Sequence, residues 1–228
     1  MYDNIKNRFS DISCKVQAAC IQARRSKDDI KLIAVSKLQS IEVINNAYKI
    51  GIKDFGENYA QELSEKSLEC PSDIIWHFIG PIQSNKINLI AECAQWVHSI
   101  DREKVAKKLN AALDIKGKKE HSLIQVNIDR EESKAGIYPE EVIDFARMID
   151  ANYPNLILEG LMFMPKINVS KAARMNTMKS INTLHNSLIA IFPHCKHLSL
   201  GTSGDFEESI IAGSTIIRIG ESLLGQRL

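Results

Sequence analysis

Lys37 follows the apolar run KLIAV and Ser36, so a primary amine stands where a buried strand would end. An amine held in a partly desolvated site can add to a carbonyl group and form an imine. Other polar or special residues stand in the same relation to apolar runs: Glu57 and Asn58, His77, Asn127, Met164, then Thr202, Ser203 and Gly204, and finally Arg218 and Gly220. The stretch GTSGD, residues 201–205, has two glycines that let backbone N–H groups approach a ligand, two hydroxyls as further donors, and a helix-forming segment after it. That combination suits an anion such as phosphate.

These residues are far apart in the chain, so the fold must bring them together. Residues 2 to about 24 place Ile5, Phe9, Ile12, Val16 and Cys20 at steps of three and four, the period of one helix face. Eight short β-rich runs follow: KLIAVSK, DFGEN, IIWHFIG, QWVHSI, SLIQVNI, LILEGLMFM, HLSLGTS and STIIRIG. Helical segments separate them, among them residues 41–51, 60–69, 86–94, 102–113, 139–152, 171–192 and 205–213. Pro139 stands near a helix start, and Gly51 and Gly213 near helix ends. DIKGKKEH, residues 114–121, reads as a surface loop. The alternation predicts one α/β domain over residues 1–228, a closed (β/α)8 barrel of TIM type with an additional N-terminal helix. An open doubly wound sheet is the chief rival. In a parallel barrel the strand C-termini share one mouth, and the turns after the seventh and eighth strands frequently hold phosphate. A phosphate on one side and a lysine amine on the other fit a phosphorylated carbonyl compound bound as an imine. Two classes remain open on spacing alone: a Schiff-base aldolase acting on a sugar phosphate, and a pyridoxal-phosphate protein.

Composition narrows the partners. The 228 residues carry a formal charge of +1, so no global field asks for nucleic acid or an anionic membrane. The N-terminus is amphipathic, without the apolar stretch of a signal peptide, and no window reaches the length of a membrane span. A cytoplasmic location is expected. Five cysteines without CxxC spacing read as reduced, mostly packed residues, and His194, Cys195 and His197 lack the second ligand pair a metal site needs.

The motifs AVSK, FGENYAQE, WHFIGPIQSNK, QVNIDREESKAG, GLMFMP and LSLGTSGDFEESIIAGSTIIRIGESLLG occur in this order from about residue 31 to 225. In this set the chain resembles the YggS-like pyridoxal-phosphate homeostasis protein family, which is itself similar to the barrel domain of fold-type III enzymes such as alanine racemase. The resemblance implies that Lys37 carries pyridoxal 5'-phosphate (PLP) as an internal aldimine. It implies that Ser203 and Gly220 hold the phosphate, assisted by the backbone of Thr202 or Gly204. It sets Arg218 at the pyridine nitrogen, Asn58 near the ring and its 3-hydroxyl, and His77 and Met164 around the ring. Ser40 stands where the family often has proline, Thr202 where it often has methionine, and MPKIN, residues 164–168, departs from its usual continuation.

An arginine at the pyridine nitrogen has no proton to accept and leaves the ring a weaker electron sink than a carboxylate would. Alanine racemase adds a tyrosine base from a second domain through its dimer. Here the chain ends eight residues beyond Gly220, so Tyr59 or Tyr138 would have to supply that base. The expected function is therefore a monomeric carrier of PLP in vitamin B6 and amino-acid balance, without catalytic turnover, with PLP-dependent apo-enzymes as recipients. The alternative is a fold-type III amino-acid racemase. Lys134, in ESKAG, is a candidate second amine on the path of transfer, with a solvated surface lysine as the simpler reading.

Overall fold

A computed structural model describes residues 2–166 and 169–226. The elements run α1 (Tyr2–Ala23), β1 (Lys31–Val35), α2 (Ile41–Lys49), β2 (Asp54–Glu57), α3 (Ala60–Glu69), β3 (Ile75–Phe78), α4 (Ile87–Cys93), β4 (Trp96–Ile100) and α5 (Glu103–Lys116). The order continues with β5 (Glu120–Val126), α6 (Val142–Asn152), β6 (Leu156–Phe163), α7 (Lys171–Ile191), β7 (His197–Ser199), α8 (Phe206–Ile211), β8 (Ile216–Ile219) and α9 (Glu221–Leu224). The eight strands form a closed parallel barrel in sequence order, with β1 paired to β8 from Lys31↔Ile216 to Ala34↔Ile219. The eight runs read from the sequence are these strands, and the open-sheet alternative is ruled out.

Two apolar layers hold the barrel. The main core lies between the outer strand faces and the helices, and includes Phe55, Phe78, Phe163, Leu109 and Leu113. A second cluster, Ile33, Trp96, Leu123, Met162 and Ile216, fills the barrel interior, as the inward residues of successive strands do in this architecture. α1 buries Ile5, Ile12, Val16 and Cys20 on the face their spacing defines and packs mainly on α8 and α9. The Arg25 guanidinium then donates to the carbonyls of Ile210 (3.1 Å) and Ser214 (2.7 Å), tying the end of α1 to the last barrel unit.

Two sequence expectations shift. DIKGKKEH is not a surface loop throughout. α5 continues to Lys116 and ends on Gly117 in the left-handed conformation (φ 61°), and β5 already begins at Glu120. The run reads as polar because β5 starts on Glu120, buried under the outer layer, and His121, whose ring stacks on Trp96 at 4.6 Å. The strands also stop earlier than the apolar runs, so Ser36, Asn58, Gly80, Met164, Thr202 and Gly220 all lie in the turns at the C-terminal mouth.

Gly160 lies within β6 at φ +146°, and a Cβ there would sit 1.8 Å from the carbonyl oxygen of His197 on β7. A Gly160→Ala variant is therefore expected to lose more than about 1 kcal/mol of stability, since it combines a disfavoured backbone conformation with a clash against backbone. A urea midpoint equal to that of the wild type would show that β6 and β7 can separate without cost.

Candidate functional site

Lys37 is half-buried in the turn after β1, and the peptide groups around it are held from α3. The buried ammonium of Lys66 donates to the Ser36 carbonyl (2.7 Å), to Glu57 Oε1 (2.8 Å) and to Glu62 Oε1 (2.6 Å). Glu62 Oε1 in turn accepts from the backbone N–H of Leu38 at 2.6 Å, and Ser36 Oγ donates to Glu57 Oε1 at 2.6 Å. Leu38 adopts φ 59° in this clamp, an uncommon conformation for a non-glycine residue. Burial pushes the Glu57 carboxyl up to about 7 against the opposing ammonium of Lys66. This clamp explains why Glu57 ends an apolar strand. It is a structural partner of the Lys37 turn.

The turns after β5, β6 and β7 and the end of β8 enclose a cavity of about 480 Å3 whose walls include Lys134, Met164, Thr202, Asp205 and Arg218, and Lys37 is not among its lining residues. Arg218 is 5% exposed, donates from Nη1 to Ser199 Oγ (2.5 Å) and from Nη2 to the Phe163 carbonyl (2.9 Å), and burial pushes it down to about 10. Both acceptors are uncharged oxygens, so no carboxylate among the described residues neutralises the guanidinium at hydrogen-bond distance. The hydroxyl and the N–H of Thr202 both donate to Asp205 Oδ1, at 2.9 and 2.7 Å, which holds the start of the turn after β7. Lys134 donates to the Met164 carbonyl (3.1 Å) and pairs with Glu131 (2.6 Å). Its loop is organised by Asn127, whose amide bonds the backbone of Glu131 and Lys134, so Asn127 shapes the mouth from behind.

Ser203 and Gly204 are exposed in the turn after β7, where they line a smaller hollow of about 240 Å3. Ser222 Oγ donates to Ser203 Oγ at 2.9 Å. Ser222 lies in α9, whose first position follows Gly220, so the turns after β7 and β8 meet at a pair of hydroxyls. Ser222 was not singled out from the sequence, and α9 was not expected. The available signal was the serine two residues beyond Gly220 in RIGES. Asn58 lies in a separate recess with Tyr59, Phe78 and Pro81, and its Oδ1 is buried with no hydrogen-bond partner among the described residues. Gly80 permits that arrangement, as a Cβ there would come within 2.1 Å of the Asn58 carbonyl oxygen.

His77 lies elsewhere. It is fully buried inside the barrel, with Nδ1 3.0 Å from His98 Nε2 and Nε2 2.9 Å from Asp54 Oδ1. Of the MPKIN stretch, Ile167 and Asn168 lie outside the described residues. Another cavity, of about 770 Å3, is an outer groove between α1, α7 and α8. Its walls bring together none of the residues above.

Residues 16–227 match the family model of the alanine racemase N-terminal domain. The pyridoxal phosphate homeostasis protein of Haemophilus influenzae is 40% identical over 98% of this chain and 96% of its own length. The chain belongs to the pyridoxal phosphate homeostasis protein family. The family member of Escherichia coli K12 is 37% identical over 99% of this chain and 97% of its own. Among solved structures, PipY of Synechococcus elongatus with PLP bound is 28% identical, with a TM-score of 0.80 over 92% of this chain and all of its own. Alanine racemase of Clostridium difficile shares the barrel at 15% identity (TM-score 0.75), with this chain covering 56% of it. No described helix is long and apolar enough to cross a membrane.

Proposed function

We propose that the barrel mouth binds PLP reversibly as a Schiff base on Lys37, and that the protein buffers this reactive aldehyde in the cytoplasm for vitamin B6 and amino-acid balance without catalytic turnover. Residues 1–228 act as one binding unit, a monomer, with PLP-dependent apo-enzymes as recipients. When bound, the cofactor supplies an aldehyde that condenses with a primary amine and an aromatic ring that can accept electron density. The observation that carries the reading is the Arg218 guanidinium, buried in the cavity wall and bonded among the described residues to neutral oxygens. A cation so placed suits a neutral ring nitrogen, which limits carbanion chemistry. Met164, in the same cavity wall, supplies an apolar contact for the ring. Ser203, Ser222 and the backbone at Gly204 and Gly220 receive the phosphate. Tyr59 and Tyr138 are 54% and 40% exposed, and neither lines the cavity with Arg218, which weighs against either as a racemase base.

The deciding experiment is the visible spectrum of purified protein before and after borohydride reduction, with mass mapping of the adduct. The reading requires a yellow protein labelled at Lys37 that does not interconvert alanine enantiomers. Rapid interconversion would establish the racemase instead, and retention of sugar phosphates without PLP would establish the aldolase class.

The phosphate assignment makes a separate prediction. Ser222→Ala should weaken PLP binding roughly tenfold or more, the scale of one hydrogen bond to a charged group, while binding of pyridoxal, which has no phosphate, stays unchanged. Equal weakening of both ligands, measured by equilibrium dialysis, would remove Ser222 from the phosphate cradle.

A further inference from the structure

We propose that Asp54, His77, His98 and Ser199 form a one-directional hydrogen-bond relay through the barrel that positions Arg218 from the end opposite the mouth. The inference rests on the reading that Arg218 faces the ring nitrogen of bound PLP.

The direction follows from counting protons. Arg218 has donors only, and its Nη1 donates to Ser199 Oγ at 2.5 Å. The hydroxyl hydrogen of Ser199 is then directed to its other partner, His98 Nδ1, at 3.0 Å. His98 Nδ1 therefore accepts, its proton sits on Nε2, and Nε2 donates to His77 Nδ1 at 3.0 Å. By the same step the His77 proton sits on Nε2 and is given to Asp54 Oδ1 at 2.9 Å. Asp54 also accepts from Lys31 Nζ at 2.8 Å. Each ring nitrogen is used once and every bond runs from the guanidinium toward the carboxylate.

The reversed chain needs an extra proton. His77 would have to be an imidazolium donating at both ends, His98 would donate from Nδ1, and Ser199 Oγ would receive two donors with no acceptor for its own hydrogen among the described residues. Geometry and burial oppose that state, since His77 and His98 are both fully buried. The charges facing them act the same way. Desolvation lowers His77, reinforced by Lys31 and His121 and opposed by Asp54. Desolvation lowers His98 further, reinforced by His77, Arg218, His197 and Lys31. Trp96 stacks on both His77 (5.7 Å) and His121 (4.6 Å), which fixes the ring planes. The relay ends at Lys31 and Asp54, whose side chains are 28% and 19% exposed at the strand N-termini. His77, His98 and Ser199 are not among the residues lining the mouth cavity, and Ser199 reaches it through its bond to Arg218, so they are positioning residues acting through Arg218.

Long-range 15N–1H NMR on the apo protein reads the tautomers directly, without any cofactor. Both His77 and His98 should be neutral with the proton on Nε2. The rate of PLP release, followed by the bound-state absorbance, reads the coupling. Ser199→Ala, which leaves a guanidinium N–H without its acceptor, and His98→Leu, which leaves the Ser199 hydroxyl without one and frees its orientation, should each speed release roughly tenfold or more. His98→Asn, whose amide can replace Nδ1 as the acceptor for Ser199, should restore release to near the wild-type rate, and it also serves if the leucine variant fails to fold. PLP binding with the His98 proton on Nδ1 overturns the relay alone, as does a wild-type release rate in both Ser199→Ala and His98→Leu. A wild type that binds no PLP, with the tautomers as assigned, overturns the cofactor reading and takes the positioning role with it.

Discussion

A Lys66→Met variant unfolds roughly 6–20 °C below the wild type at pH 8. Removing one partner of a buried ion pair costs about 3–5 kcal/mol, and in a chain of this size each kcal/mol moves the melting temperature by about 2–4 °C. Lys66 is 5% exposed and Glu57 fully buried, so water cannot replace the lost ammonium. The deficit depends on pH with a definite sign. Burial raises the folded-state Glu57 carboxyl from 4.5 to about 7, so its contribution is present below its unfolded value and is lost as pH rises through the folded one. Without Lys66 nothing nearby lowers it except the Ser36 hydroxyl, and the folded value climbs further. The loss of melting temperature should therefore be distinctly smaller at pH 5.5, where the buried acid keeps its proton, than at pH 8. Equal deficits at the two values, by calorimetry, would mean that Glu57 is not the group left unpaired.

A Lys37→Ala variant forms no borohydride-stable adduct, and labelling falls from about one per chain to none because no other amine in the turn after β1 can replace the nucleophile. Lys37 is only half-buried, so the truncation should leave global stability within about 0.5 kcal/mol. Loss of label together with an unchanged melting curve thus separates loss of the tether from unfolding. Full labelling that moves to Lys134 would show that the second amine at the mouth takes over, and the anchor assignment would fail.

The barrel was legible because most strands are apolar, β-rich runs and the segments between them have helical period. The missed element, α9, is four residues long and leaves too short a pattern to read. With it went Ser222. Lys37, Met164 and Thr202 follow strands of a parallel barrel and Arg218 lies on the last one, which is why all four were expected at one mouth; Met164, Thr202 and Arg218 share a cavity wall there. The interior polar residues were harder. His98 and Ser199 sit within apolar runs, and their inward direction appears only when the alternation is counted from Trp96 to His98 and from His197 to Ser199. His77, expected around the ring, is held inside the barrel by partners on β2 and β4 that sequence separation hides. Lys66 looked like any helix lysine, because its burial depends on Glu57 and on the Ser36 carbonyl thirty residues earlier.

Lys37 follows β1 and Arg218 lies on β8, strands joined edge to edge although they are separated by most of the chain. Gln39 reinforces that seam by donating to the carbonyl of Gly225 at 2.9 Å, across 186 residues. Contacts of such separation carry the largest chain-closure entropy and form late in folding. During synthesis, neither half of the mouth has its counterpart until the eighth strand has emerged and docked. The amine-bearing turn is thus made early and completed last. A ligand bridging this seam would act as a clasp on the finished ring, favouring the closed chain over one still open.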